Sequence, residues 1–294
     1  MTQSGRARRL QRILKSGHSP LFVVPLDHTV TDGPFTSARG YDELTIALVE
    51  NGVDALVVHK GRIGLLPNAV YEKACVFVHL SASTKYAADP TCKVQVGEVE
   101  DCVRRGADAI SVHVNIGSLT ESQQLRTLGA VADSCERLGV PLLAMMYPRG
   151  PGLKGSSSSE TLLHAASLAV DLGADVVKLP LGGSSHDMQQ VIESCPIPVL
   201  AAGGAQVPDD EFATFVANVM KSGAQGLAAG RNIFMAPHPA AKVREVRRIL
   251  QANYGAAQQA SKVRLAGTLP SSYNGPPFAH AVDDPYAMSR ENLP

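Results

Sequence analysis

Along the chain, short apolar runs alternate with stretches that are apolar on one side only. The runs fall at 21–27, 55–59, 75–80, 109–114, 141–147, 175–179, 198–202 and 226–230. They are apolar at nearly every position, which predicts strands covered on both faces. Between them, 42–50, 96–105, 123–138, 159–172 and 209–221 carry apolar residues at three- and four-residue spacing with Ser or Asp near their starts, the pattern of crossover helices. A phrase repeats at the junctions: Gly52-Val53-Asp54, Gly106-Ala107-Asp108, Gly173-Ala174-Asp175 and, more weakly, Gly223-Ala224-Gln225. Each reads as a glycine that ends a helix in left-handed backbone, followed by a strand.

Eight parallel strands with helices between them, over roughly 230 residues, predict a (β/α)8 barrel, the TIM barrel of the α/β class. An open dinucleotide-binding sheet would need a Gly-rich turn after its first strand; here that turn reads Leu26-Asp27-His28-Thr29-Val30. Residues 1–250 are expected to form one domain, with 1–20 supplying an N-terminal helix. In that helix (6–15) Leu10, Ile13 and Leu14 line one stripe; the helix covers the barrel bottom, and its basic face is solvated or open to a polyanion. Residues 251–294 are rich in Pro, Ser, Gly and Asn without a sustained period, which predicts an irregular C-terminal tail, suited to packing on a neighbouring subunit.

Charge narrows the partners. With 27 Lys and Arg against 27 Asp and Glu, the chain lacks the bulk positive charge on which nucleic-acid binding rests. No apolar run approaches the ~20 residues that span a bilayer, so no membrane partner and a cytoplasmic location are expected. Five cysteines are scattered without a C-x-x-C pair, which speaks against a disulfide framework or zinc knuckle and for small buried apolar side chains. With no dinucleotide loop or metal spacing, no cofactor and no metal are expected.

In this fold, function collects where strands end, because the loops there build one rim. Those ends hold Asp27, His28, His59, Lys60, His79, His113, Asn115, Tyr147, Arg149, Lys178, Gly203, Gly204, Gly230 and Arg231. Lys178 interrupts an otherwise apolar strand, Ala174 to Pro180, on the same side as Val176. A desolvated amine loses its proton more readily and can attack a ketone to form a Schiff base, whereas a lysine that only supports the fold would reach out to a carboxylate. Lys60 is the rival nucleophile, expected instead to touch an anion. An imine mechanism also needs groups that move protons, for which Asp27 and Tyr147 stand in place; alternatively Asp27 is a helix N-cap and Tyr147 a rim aromatic.

Gly203-Gly204 after the seventh strand and Gly230-Arg231 after the eighth fit the phosphate site of such barrels, with backbone N–H groups and a guanidinium meeting the anion. The stretch 148–160 reads as a basic loop, either a lid or a plain connection, ending in a helix start with Ser157 and Glu160 at capping-box spacing.

Taken together, Pro25-Leu26-Asp27-His28-Thr29-Val30-Thr31-Asp32-Gly33-Pro34, His59-Lys60-Gly61, His79-Leu80-Ser81-Ala82-Ser83-Thr84, His113-Val114-Asn115-Ile116-Gly117, Tyr147-Pro148-Arg149-Gly150, Val177-Lys178 and Gly230-Arg231-Asn232-Ile233-Phe234 resemble the DhnA-type class I aldolases, over 21–234 and in the same order. The phrases Ser81-Ala82-Ser83-Thr84 and His113-Val114-Asn115-Ile116-Gly117 resemble the heptulosonate synthases of that family more than its archaeal-type fructose-bisphosphate aldolases. The resemblance implies Lys178 as the Schiff-base lysine, Tyr147 and Asp27 as its catalytic partners, and Gly203, Gly204, Gly230 and Arg231 as the phosphate site. It also implies a phosphorylated ketose donor and an aldehyde acceptor. These are either dihydroxyacetone phosphate with L-aspartate 4-semialdehyde, feeding 3-amino-4-hydroxybenzoate-type secondary metabolism, or a deoxyketohexose phosphate with the same semialdehyde. It further implies a homo-oligomer of five or ten subunits. Arg149, His28, Lys60 and His113 complete the expected binding set. In place of the family's hydroxyl or amide residue and aromatic after the lysine, Leu179-Pro180-Leu181-Gly182-Gly183 follows here, which suggests an altered substrate-facing wall.

Two rival readings stand beside this one. Histidines 28, 59, 79 and 113 all end strands, where converging imidazoles would hold the metal of a metal-dependent aldolase or epimerase, and the anion site alone would serve a non-catalytic sugar-phosphate sensor.

Overall fold

The computed structural model describes residues 5–153 and 158–266, and among these the side chains up to residue 254 except that of Ser16. Its eight barrel strands are β1 (Leu21–Pro25), β2 (Ala55–His59), β3 (Cys75–His79), β4 (Ala109–Ile116), β5 (Leu142–Pro148), β6 (Val176–Leu179), β7 (Val199–Ala202) and β8 (Gly226–Ala228). Each pairs in parallel with its neighbours in chain order, and β8 closes on β1, so the chain folds as the expected (β/α)8 barrel. Alternation along the strands separates two cores. Val23, Val57, Phe77, Leu143, Met145, Val176 and Leu200 fill the barrel interior. Val24, Val58, Val78, Val112, Val177 and Leu179 face the surrounding helices.

The repeated phrase has a structural reason at each junction. Gly52, Gly106 and Gly173 have φ of +111°, +94° and +86°, backbone that a side chain strains. The Asp two positions on reaches back to the preceding strand: Asp54, Asp108 and Asp175 accept from the N–H groups of Phe22, Val76 and Leu142 at 2.8, 2.9 and 2.7 Å. The N-terminal helix (Gly5–Ile13) then plugs the barrel bottom, with Ile13 buried in the interior core and Leu10 and Leu14 against it. Arg8 is exposed, as a solvated face expects, but others of its basic residues are tied to the barrel. Arg6 pairs with Asp175, Arg12 with Asp108, and Lys15, just past the helix, with Asp54, so the phrase that starts three strands also anchors the plug.

Two boundaries differ from expectation. The last helix (Pro239–Ala266) runs past residue 250, so part of the stretch expected to be irregular is helical; 267–294 lie outside the described residues. The helix expected to be capped by Ser157 and Glu160 is instead capped by Ser158, whose hydroxyl accepts from the Thr161 N–H at 3.2 Å. Residues 154–157 lie outside the described residues, and the preceding part of that loop is tied to the loop after β4: the N–H groups of Arg149 and Gly152 donate to the carbonyls of Ile116 and Gly117, both at 2.9 Å. Leu179 and Leu181 are buried among the outer helices, and Pro180 between them is half-buried. No described helix is long and apolar enough to cross a membrane.

Candidate active site

Lys178 lies on β6 in register with Met145 of β5 and Leu200 of β7, both interior residues, so its side chain rises inside the barrel toward the mouth. It is 7% exposed, and among the described residues no carboxylate comes within ion-pair distance of its ammonium. The alternative of a lysine reaching out to an acid is therefore not what the fold builds. Its Nζ stands 5.8 Å from the centre of the Tyr147 ring, one inward-facing position further along β5 than Met145. That ring stacks on His113 at 4.7 Å between centroids and lies 5.4 Å from the Arg149 guanidinium.

Asp27 follows β1 and starts a short helix (His28–Thr31), yet its carboxylate makes no capping hydrogen bond, which removes the N-cap alternative. Its oxygens face His28 Nδ1 at 3.4 Å and His79 Nε2 at 3.7 Å. Burial alone would raise its pKa; His28, His79 and the Lys178 charge outweigh burial and hold the carboxyl well below the usual range, so it is ionised at neutral pH. His79 is buried and pushed down to about 4 by desolvation, so its ring is neutral there. Burial likewise lowers His59 and His113.

A polar network behind the ring stack sets its position. His113 Nε2 meets Asn115 Oδ1 at 2.8 Å, and the Asn115 amide donates to the Thr91 carbonyl at 2.8 Å, which places the proton on His113 Nε2. Gln124 ties the same carbonyl to the helix after β4 (Glu121–Leu138). His79 and His113 are thus engaged with Ser111 and Asn115, and among the described residues no group of three or more His, Cys, Asp or Glu is arranged to hold a metal.

At the ends of β7 and β8, Arg231 Nη2 donates to the Gly204 carbonyl at 3.1 Å, while its buried Nε has no partner among the described residues. The Gly203 N–H is taken by the Ala228 carbonyl, so Gly203 is no free donor; the N–H groups of Gly204, Gly230 and Arg231 have no partner among the described residues. A side chain at Gly230 would sit 2.7 Å from His28 Cε1, so this close approach needs glycine and places His28 under the anion loop. Asn232, quoted in a motif but given no role by the sequence reading, clamps the loop: its amide donates to the carbonyls of Gly203 and Ala205 at 2.8 and 2.7 Å, and its oxygen accepts from the Val207 N–H at 3.0 Å.

After Gly203, a second expected ligand is corrected. Lys60 is exposed, its stem lies beside Gly97 and Leu80, and its charge bears on Asp101 and Cys102 rather than on the mouth. The second lysine at the mouth is Lys93, which sequence reasoning missed. It precedes Val94–Gln95, the outer arm of a small hairpin with Ser81–Ala82 that stands above β3. It donates to the Ser83 hydroxyl at 2.7 Å, and its charge bears on Asp27, His59, His79 and His113.

The chain is similar to known aldolases and synthases. The model of a family described as DeoC/LacD family aldolase matches residues 21–236. A 2-amino-4,5-dihydroxy-6-oxo-7-(phosphonooxy)heptanoate synthase of Streptomyces griseus is 44% identical over 237 residues, covering 80% of this chain and 86% of that protein. A 2-amino-3,7-dideoxy-D-threo-hept-6-ulosonate synthase of Archaeoglobus fulgidus is 39% identical over 252 residues, covering 85% and 92%. Among solved structures, an archaeal fructose 1,6-bisphosphate aldolase shares the fold at a TM-score of 0.77 and 22% identity, covering 84% of this chain and 99% of that one.

Proposed function

The chain belongs to the DeoC/LacD family of aldolases, and on that premise we propose that it joins dihydroxyacetone phosphate to L-aspartate 4-semialdehyde through an imine on Lys178, giving a seven-carbon amino-keto-acid phosphate. The observation that carries this reading is the placement of Lys178: an amine inside an apolar barrel, without an acid partner, beside a tyrosine and across from an ionised aspartate.

In this mechanism the donor phosphate rests on Arg231 and the N–H groups of Gly204, Gly230 and Arg231, which hold the ketone over Lys178. The neutral amine adds to the ketone carbon to give a carbinolamine, and loss of water leaves an iminium. Withdrawal of a proton from the adjacent carbon gives the enamine, whose carbon attacks the aldehyde; water then releases product and amine. Tyr147 carries protons to and from these intermediates. A carboxylate held as low as Asp27 is a weak base, so its part is to stabilise the iminium and to hold a donor hydroxyl.

The reading is tested by incubating the protein with L-aspartate 4-semialdehyde and dihydroxyacetone phosphate and weighing the products. A seven-carbon adduct of the two supports it. Product only when a deoxyketohexose phosphate replaces dihydroxyacetone phosphate moves the chain to the transfer reaction named for the Archaeoglobus relative. No condensation with either donor contradicts the reading.

A further inference from the structure

Among the described residues, Lys93 and Arg149 are mouth cations that the donor chemistry leaves unused. Lys93 is half-buried and, among the described residues, has no carboxylate within ion-pair distance and is bound only by Ser83 at 2.7 Å. Its charge and that of Arg149 bear on one another, and the carboxylates of Asp27 and Asp32 are felt there too. Arg149 is exposed, and its guanidinium lies over the Tyr147 ring. The Asp27 charge also bears on Lys93 but lies outside ion-pair distance, so an anion in direct contact would still gain from both cations.

Their place in the barrel says which anion. Lys93 sits on the hairpin above β3, whereas the phosphate site lies at the ends of β7 and β8; in a closed ring of eight strands, β3 and β7 are diametrically opposed. Lys178 and Tyr147 stand on β6 and β5 respectively, between the two. A product with a phosphate at one end and an acid at the other would span that diameter with its new bond near Lys178. We propose that Lys93, assisted by Arg149, receives the carboxylate of the acceptor aldehyde and so is a specificity-determining residue for acidic acceptors over neutral ones. The term acceptor rests on the imine reading; the binding of a carboxylate at Lys93 does not.

The test therefore begins without turnover. L-Homoserine, which keeps the acid and lacks the aldehyde, is titrated calorimetrically into the wild type, Lys93→Met, Lys93→Arg and Lys178→Ala. Loss of a charge-assisted hydrogen bond predicts binding about 10- to 100-fold weaker in Lys93→Met, largely restored in Lys93→Arg and kept in Lys178→Ala. Equal binding by Lys93→Met and the wild type overturns the proposal whether or not the chain forms an imine. Failure of the imine reading would instead show as wild-type protein that binds homoserine but condenses nothing. In kinetics, Lys93→Met should lower the ratio of kcat/KM for succinate semialdehyde to that for butanal by a similar factor. An unchanged ratio, or a loss confined to glyceraldehyde 3-phosphate, contradicts a carboxylate site.

Discussion

The His79 imidazole faces Asp27, its Nε2 3.7 Å from Oδ2, while its Nδ1 meets the Ser111 hydroxyl at 2.8 Å. With the ring neutral and the carboxyl ionised at neutral pH, Ser111 donates to Nδ1 and the Nε2 proton points at the acid. The barrel thus holds an anion beside its amine by means of a histidine it refuses to charge.

This refusal has a pH signature. His79 titrates at about 4 in the folded chain against 6.5 when free, so between those values the unfolded state binds the proton and the folded state does not. Stability therefore rises with pH across that window and is lost on acidification. By pH 4 the loss from His79 alone approaches about 3 kcal/mol, with His59 and His113 shifted the same way. Urea titrations at pH 7 and pH 5 should show the lower midpoint at pH 5 and a smaller gap in His79→Asn. A midpoint that does not move with pH contradicts the neutral ring.

Tyr147→Phe keeps the stack on His113 and removes only the hydroxyl. Turnover should fall roughly 10²- to 10⁴-fold, the usual worth of a proton carrier, with the donor KM within a few-fold of wild type. A variant with undiminished kcat removes Tyr147 from the chemistry.

At the anion loop, Arg231→Ala should raise the donor KM by about 10- to 100-fold while kcat is largely kept. Asn232→Ala should act in the same direction through the Gly203 and Ala205 carbonyls it leaves unpaired, and should also cost about 1–3 kcal/mol of stability, readable as a lower Tm. An Asn232 variant with normal Tm and KM would show that the loop holds its shape without the clamp.

At the opposite end, Ile13→Ala should cost about 2–4 kcal/mol by opening a cavity in the interior core, with the KM values of the folded protein unchanged. A change in KM would tie the plug to the mouth, which nothing in its contacts predicts.

The barrel was legible because each strand is apolar on both faces and because the Gly-x-Asp phrase marks where helices hand over to strands; the carboxylates that repeat there bond backbone across the sheet. Lys178 was legible for the same reason: alternation with Val176 places it inside. Lys93 was not, because its hairpin arms are two residues each, too short to show a period, and its nearness to Asp27 arises only when the chain folds back over β3. Lys60 misled because it directly follows a strand, yet the helix it opens (Lys60–Ile63) turns it outward. The helix beyond residue 250 was hidden by mixed composition. The polar clamp of Asn115, Thr91 and Gln124 joins residues far apart in sequence whose side chains look unremarkable alone.

The central claim is that Lys178 captures a ketone. The most direct measurement is reduction with borohydride in the presence of dihydroxyacetone phosphate, followed by peptide mass spectrometry of the wild type and Lys178→Ala. The account predicts one stable adduct, on the peptide that carries Lys178, and none in the variant. An adduct on a different lysine, or full aldol activity in Lys178→Ala, would contradict it.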